Sequence, residues 1–254
     1  APRSCTGSRS GMSFGTSPRS TACSEQKGDI LDHVMERAQR SDAERQVEVK
    51  AGQVLLPGIF GLPGPRGVVV FAHRSGNGRL NPRNAMVARM LQEGGLATFR
   101  VDLLLPDEAQ VLHNIFDIHL LADRLLAATE WVMQQPETKG LRIGYMSTSN
   151  GTAAALQAAA RLPEAVGAVV SRGGRPDLAR TFLPQVKAPT LLLVGENDPA
   201  ATEQNQKAYQ QLACLKEMII VPGASHLFEE PGTFDQVAVH ARAWFLRYLV
   251  QESA

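Results

Sequence analysis

Apolar runs of strand length alternate with amphipathic stretches of helix length from residue 67 to residue 250, and this alternation restricts the fold more than any other feature. The first run, GVVVFAH at residues 67–73, is continuously apolar, as expected of a strand covered on both faces. Because parallel strands need crossovers between them, the alternation predicts an α/β fold with a doubly wound, mostly parallel sheet and helices on both faces. Residues 47–63 alternate loosely around Gly and Pro, which predicts a leading antiparallel hairpin.

The predicted elements continue to the end of the chain without a repeat or a second change in composition. Residues 29–254 are therefore expected to form one domain, which begins with a short helix over 30–38. The strands are predicted at 67–73, 96–102, 141–146, 166–171, 189–195 and 218–221, and the helices at 81–93, 116–133, 203–212 and 234–250.

Residues 1–28 differ from the rest of the chain. They are rich in Ser, Gly, Thr and Arg and contain few large apolar side chains, so they are expected to form a disordered tail. They lack the apolar core of a secretory signal. Their Arg and Ser content is also faintly typical of a transit peptide, and an over-extended translation start before Met12 would look the same.

Charge and cysteine content exclude several classes of protein. The chain has 26 basic and 25 acidic residues among 254, which argues against a nucleic-acid or membrane-surface partner. No apolar run approaches the roughly 18 residues needed to span a bilayer. Cys5, Cys23 and Cys214 form neither a disulfide framework nor a metal-ligand spacing. We therefore expect a cytoplasmic monomer or homodimer with free thiols and no metal.

The stretch LRIGYMSTSNGTAAAL at residues 141–156 is the strongest local pattern. Its apolar run stops at Ser-Thr-Ser-Asn-Gly, and an alanine-rich helix pattern follows at once. A strand that turns directly into a helix can hold one side chain, here Ser149, strained and exposed, as a G-x-S-x-G nucleophile elbow does. Ser147 replaces the first glycine. Small residues around a serine also occur in turns without catalytic function. Whether Ser149 is catalytic therefore depends on the other residues of the chain.

Two further polar residues follow later strands at the edge where parallel sheets bind ligands. Asp198 comes after the fifth strand and His226 after the sixth, so Ser149, Asp198 and His226 occur in the chain order of a hydrolase triad. His226 suits a general base for serine, and Asp198 would orient its imidazole. Alternatively, His226 is a loop histidine bound to backbone and Asp198 a turn former, with Glu196 as a rival triad acid.

From about residue 47 onward the chain resembles the α/β-hydrolase superfamily and, within it, dienelactone hydrolase-like proteins. The resemblance implies Ser149 as nucleophile, Asp198 as acid and His226 as base, without a cofactor. A typical dienelactone hydrolase has a cysteine nucleophile, so serine here makes simple ester hydrolysis at least as good an expectation. The matching stretches are VVVFAHRSGNGRLNPRN, GGLATFRVDLL, FDIHLLADRL, the elbow, AVVSRGGRPDLA, APTLLLVGENDPA and VPGASHLFEEPG.

An oxyanion intermediate needs preorganised N–H donors. The backbone N–H of Asn150, at the start of the elbow helix, is one predicted donor, and that of Arg74 in the loop after the first strand is the other, with Ser75 less favoured. The side chain of Arg74 could bind an anionic substrate group or only narrow the site. Ser75 and Arg172 are weaker candidates for substrate binding.

Arginine side chains beyond the fourth strand allow two interpretations. Arg172 and Arg175 could bind a carboxylate of the substrate, or they could pair with Asp177 and cap carbonyl groups. The glycine-rich loop after the first strand lacks a P-loop lysine and the G-x-G-x-x-G spacing, so nucleotide binding is not predicted.

The sequence predicts a serine hydrolase that cleaves a small carboxylic ester or lactone through an acyl-enzyme intermediate. Two alternatives are left open: a thioesterase or amidase that uses the same triad, and a catalytically silent binding protein with the α/β-hydrolase fold.

Overall fold

The computed structural model describes residues 44–73 and 78–250. The predicted tail over 1–28 and the predicted helix over 30–38 lie outside the described residues, as do Arg74 and Ser75.

The described chain begins with the predicted hairpin. Strand β1, Glu44–Ala51, pairs antiparallel with β2, Val54–Gly61, through a turn in which Gly52 has a φ of 63°. Glycine suits this turn because a side chain disfavours positive φ. β2 then pairs antiparallel with a strand of the main sheet, so the hairpin extends one edge of that sheet.

Eight strands form one sheet in the order β1-β2-β4-β3-β5-β6-β7-β8. All pairings from β4 to β8 are parallel, which confirms the predicted doubly wound arrangement. Every residue of β3, β4 and β7 is buried, as the continuous apolar runs predicted. The six strands after the hairpin are β3 Val68–His73, β4 Ala97–Asp102, β5 Ile143–Ser149, β6 Val166–Gly174, β7 Thr190–Gly195 and β8 Lys216–Val221.

Helices cover both faces of the sheet. Alternate residues of β3 show this directly: Val68 and Val70 belong to the apolar core on one side, and Val69 and Phe71 to the core on the other. Helices α3 and α4 contribute to the first core, and α1 and α6 to the second. The helices are α1 Pro82–Glu93, α2 Leu112–Phe116, α3 Ile118–Gln134, α4 Gly151–Arg161, α5 Pro199–Gln211 and α6 Thr233–Leu249.

The observed elements differ from the predicted ones in several details. β5 ends at Ser149 instead of 146, and α5 begins at Pro199 instead of 203. The helix predicted over 116–133 is interrupted at Asp117, whose side chain caps α3 by accepting a hydrogen bond of 2.9 Å from the Leu120 N–H. β6 continues three residues beyond the predicted end, to Gly174. The chain also forms 3₁₀ turns at Gly78–Leu80, Glu108–Gln110 and Pro176–Gln185. The last of these leads away from the carboxyl end of β6, beside the elbow.

Candidate active site

Ser149 occupies the tight turn between β5 and α4. Its φ is 48°, in the left-handed region that side chains disfavour, so the surrounding structure must hold it there. Gly151 explains part of this constraint, because a Cβ at that position would lie only 2.2 Å from the carbonyl oxygen of Ala72 in β3. A glycine is therefore required for α4 to start against the neighbouring strand.

Ser147, which replaces the usual elbow glycine, lies in a buried group of three hydroxyls that we call the hydroxyl cluster. Its Oγ donates to the Val170 carbonyl at 3.0 Å and contacts Thr152 Oγ1 at 3.1 Å. Thr152 Oγ1 in turn contacts Ser171 Oγ at 3.0 Å. All three side chains are fully buried, so the cluster joins β5, α4 and β6 beneath the elbow. The serine thus fits without entering the cleft.

Asp198 and His226 are brought together by the loops after β7 and β8. The Oδ2 atom of Asp198 lies 2.6 Å from Nδ1 of His226, and its Oδ1 accepts a hydrogen bond of 3.0 Å from the Ala201 N–H. The aspartate therefore caps α5 and contacts the histidine at the same time. Its side chain is 16% exposed, whereas that of His226 is 49% exposed. The imidazole is accordingly open to solvent, whereas the carboxylate that contacts it is mostly buried.

The loop that carries His226 is held by several short contacts. Gly195 permits one of them, because a Cβ there would lie 2.5 Å from the carbonyl oxygens of Ala224 and Ser225. The Ser225 N–H donates to the Glu230 carboxylate at 2.9 Å, which lowers the pKa of Glu230. These contacts limit the positions that the histidine can take.

Glu196, the rival acid, is engaged elsewhere. Its Oε2 accepts a hydrogen bond of 2.7 Å from the Gly223 N–H, whereas the imidazole of His226 contacts Asp198. The geometry therefore favours Asp198 over Glu196 as the partner of His226.

A cleft of about 360 Å³ opens at the carboxyl edge of the sheet. Four predicted site residues line it together: Ser149, Asn150, Asp198 and His226. Most of the remaining wall could not be predicted, because the sequence offers little signal for it. The first turns of α5, which follow Asp198, contribute Ala200, Ala201 and Gln204. Their closeness to Asp198 in the sequence is the one signal that places them in the cleft. The other lining residues are Phe116 and Arg175.

Asn150 links the elbow to the wall that carries Phe116. It precedes α4, where helix N–H groups point outward and favour negative charge. Its side-chain Nδ2 donates to the Ile115 carbonyl at 3.0 Å, next to Phe116. Asn150 therefore lines the cleft at the start of α4, while its side chain holds the adjacent segment.

Arg172 and His73 lie outside the set of described residues that line the cleft. The Arg172 guanidinium stacks 5.0 Å from the Phe234 ring centroid, and burial and the nearby Arg83 lower its pKa to about 10. Burial, followed by the charges of Arg172 and Arg100, lowers the pKa of His73 to about 3. His73 is therefore neutral at physiological pH and belongs to the buried strand.

Arg175 pairs with Asp177, as one of the two sequence interpretations predicted. Its Nε and Nη2 donate to Asp177 Oδ1 and Oδ2, both at 2.8 Å, and this contact raises the pKa of Arg175. Within the described ranges, no group of three or more His, Cys, Asp or Glu side chains could hold a metal ion. The helices over these ranges are also all too short or too polar to cross a membrane.

The sheet order, the serine at the β5–α4 turn and the Asp–His pair beyond later strands together define an α/β-hydrolase. The model of the dienelactone hydrolase family matches residues 63–248, and the chain belongs to this family.

A solved structure of a relative agrees with this placement, and a more distant one shares the fold. A crystal structure of dienelactone hydrolase from Anabaena variabilis is 51% identical, with a TM-score of 0.78, and the match covers 81% of this chain and 98% of that one. Est1E from Butyrivibrio proteoclasticus shares the fold, at 15% identity and a TM-score of 0.67 over 80% of this chain and 98% of that chain.

Two Mycobacterium tuberculosis proteins, provisionally named phosphoribosyl transferases, are 49% identical over 207 residues. The match covers 81% of this chain but 47% of theirs, so the chain spans about half the length of the curated relatives it matches.

Proposed function

We propose that this chain is a serine hydrolase that cleaves a small carboxylic ester or lactone through an acyl-enzyme on Ser149. The observation that carries the proposal is the 2.6 Å contact between Asp198 Oδ2 and His226 Nδ1 in a cleft that Ser149 also lines. The family and its fold support a hydrolase, and the ester or lactone specificity is our inference.

In the proposed reaction, His226 Nε2 takes the proton of the Ser149 hydroxyl while Oγ attacks the substrate carbonyl. Asp198 keeps the proton of the neutral imidazole on Nδ1 and stabilises the imidazolium that forms. The Asn150 N–H and a second donor after β3, which we assign to Arg74, would bind the oxyanion. His226 then protonates the leaving alkoxide, and water releases the acyl group by the reverse sequence.

The test is Ser149→Ala, combined with labelling by a fluorophosphonate. Wild-type protein should be labelled at Ser149 and hydrolyse a short-chain p-nitrophenyl ester, and the variant should lose both properties while its circular dichroism is unchanged. Ser147→Ala is the matched control, since that hydroxyl belongs to the buried hydroxyl cluster, and it should still be labelled. Full esterase activity in Ser149→Ala would refute the mechanism, and an unlabelled wild type would favour a silent binding protein.

The same triad could act on a thioester or an amide. Turnover of acyl esters, thioesters and amides with one acyl group would rank these reactions, because only the leaving group then changes.

Phosphoribosyl transfer is the competing proposal, and the name of the Mycobacterium relatives favours it. That name describes proteins of which this chain matches 47%, so their activity could depend on the part that has no counterpart here. Release of pyrophosphate from 5-phosphoribosyl diphosphate that depends on an added acceptor and is undiminished in Ser149→Ala would support transfer over hydrolysis.

We further propose that the protein is cytoplasmic and forms a monomer or homodimer. The support for the location is the cysteine content: three cysteines without a disulfide pattern, of which Cys214 is a partly buried free thiol. Light scattering coupled to size exclusion would give the oligomeric state.

A further inference from the structure

Arg175 lies directly beside the proposed nucleophile. It lines the cleft, and its backbone N–H donates to the Ser149 carbonyl at 3.0 Å. A guanidinium in this position could bind a carboxylate on a substrate, since its parallel N–H groups match the two carboxylate oxygens. What the guanidinium contacts therefore bears on the charge of the substrate.

The guanidinium of Arg175 is already paired with the Asp177 carboxylate. The two 2.8 Å contacts from Nε and Nη2 use one full edge of Arg175 in a bidentate arrangement. Pro176 lies between the partners and is buried, so its fixed φ helps to hold them in register. A substrate carboxylate would have to displace Asp177 or approach the remaining Nη1 edge beside an existing negative charge.

The rest of the described cleft adds no compensating positive charge. Arg175 and Asp198 are the permanently charged residues among those that line it, and the imidazole of His226 contacts Asp198. Together with Asp177, the described fixed charges around the cleft are one positive and two negative. Among the described residues, an additional anion would therefore meet a net negative charge.

Part of the described cleft lining is apolar. Phe116 is 54% exposed and lines the cleft, as do Ala200, Ala201 and the amide-bearing Gln204. An exposed aromatic residue at a binding site offers a surface on which an alkyl or aryl group gains free energy by leaving water.

We propose that the cleft selects uncharged esters with an apolar substituent, and that Asp177 determines this specificity by occupying the guanidinium of Arg175. The inference rests on the proposed hydrolase function and adds the substrate class. Asp177 acts through Arg175, whereas Arg175 and Phe116 would touch the substrate itself.

The experiment compares kcat/KM for two pairs of chromogenic esters that differ in one negative charge. The first pair is p-nitrophenyl hexanoate and the p-nitrophenyl monoester of adipic acid, with the charge on the acyl chain. The second is p-nitrophenyl acetate and 3-carboxy-4-nitrophenyl acetate, with the charge on the leaving group. Wild type should favour the neutral member of at least one pair by about tenfold or more, as expected for one unfavourable charge interaction in a partly solvated site.

Asp177→Asn should reduce that same preference about tenfold, because it frees the guanidinium of Arg175 to bind the charged group. The relative gain in kcat/KM for the anionic ester should disappear at high salt, and it should be absent when Arg175→Gln is added. Asp123→Asn is the matched control: Asp123 also pairs with an arginine, Arg161, but does not line the cleft, so its ratio should equal that of wild type.

An unchanged ratio in Asp177→Asn, or a gain that persists without Arg175, would overturn the inference. If Asp177→Asn does not fold, Arg175→Gln alone decides: it should lower activity on the anionic member still further, and an increase would overturn the proposal. Failure of the proposed function looks different, since Ser149→Ala would then hydrolyse both members of a pair.

Discussion

Replacing Asp198 by Asn separates two functions that one carboxylate performs. Asp198 Oδ1 accepts the Ala201 N–H at 3.0 Å, and Oδ2 contacts His226 Nδ1 at 2.6 Å. An asparagine can keep the first bond by placing its carbonyl oxygen toward Ala201. Its NH₂ group then faces His226 Nδ1, which must accept rather than donate. The neutral imidazole would carry its proton on Nε2 and could not take one from Ser149.

The expected loss follows from this change of tautomer. In hydrolases with a Ser-His-Asp triad, the equivalent substitution lowers kcat by about 10⁴, or about 5 kcal/mol of activation free energy. The free energy of unfolding should change little, since the cap on α5 is preserved. Asp198→Ala should lose a similar amount of activity and also about 0.5–2 kcal/mol of stability, because α5 then starts without its cap.

The assay is kcat for a p-nitrophenyl ester at neutral pH together with urea unfolding of both variants. Glu196→Gln is the control, and its activity should stay within about threefold of wild type, since Glu196 contacts the Gly223 N–H rather than His226. Asp198→Asn with more than a tenth of wild-type kcat would refute the argument. Equal losses of stability in the two Asp198 variants would refute the separation of functions.

Two further predictions concern the elbow and its supporting strand. Gly151→Ala should abolish activity and lower the unfolding midpoint sharply, because its Cβ would lie 2.2 Å from the Ala72 carbonyl oxygen. Gly140→Ala is the control: it has open space around it and should cost only about 1–2 kcal/mol of stability. Thermal unfolding of both variants tests this. The pKa of His73 is about 3 in the folded chain and about 6.5 in the unfolded chain. Its contribution to the free energy of unfolding is therefore complete above pH 6.5. As the pH falls toward 3, that contribution is lost by up to about 1.4 kcal/mol per pH unit. Urea unfolding of wild type and His73→Gln at pH 7, 5.5 and 4.5 measures this contribution, and parallel profiles for the two proteins would contradict it.

The elements that could be predicted from the sequence are those with local causes. The buried strands are continuous apolar runs, and α1 starts at Asn81, whose side chain accepts from the Arg83 N–H at 2.9 Å, as its cap. The elbow could be predicted because the change from apolar strand to alanine-rich helix occurs within five residues. Post-strand loops could be assigned to one edge because parallel strands share their carboxyl ends.

The features that could not be predicted depend on contacts distant in sequence or on one backbone angle. Phe116 has no sequence signal for the cleft, because its position depends on the break at Asp117 and on the bond from Asn150 to Ile115. The extension of β6 to Gly174 depends on pairing with the elbow strand. For Arg175, the sequence left substrate binding and pairing with Asp177 equally open, since a choice of side-chain rotamer decides between them.

The hydroxyl cluster makes a prediction about sequence variation among relatives. A Cβ on Gly174 would lie 2.1 Å from both Ser171 Oγ and Thr152 Oγ1, so that position must remain glycine while the two hydroxyls are present. A relative with glycine at position 147 would leave a small void and remove one partner of Thr152. Positions 147, 152, 171 and 174 should therefore be exchanged together during evolution, and an engineer who grafts a different elbow onto this sheet should transplant all four.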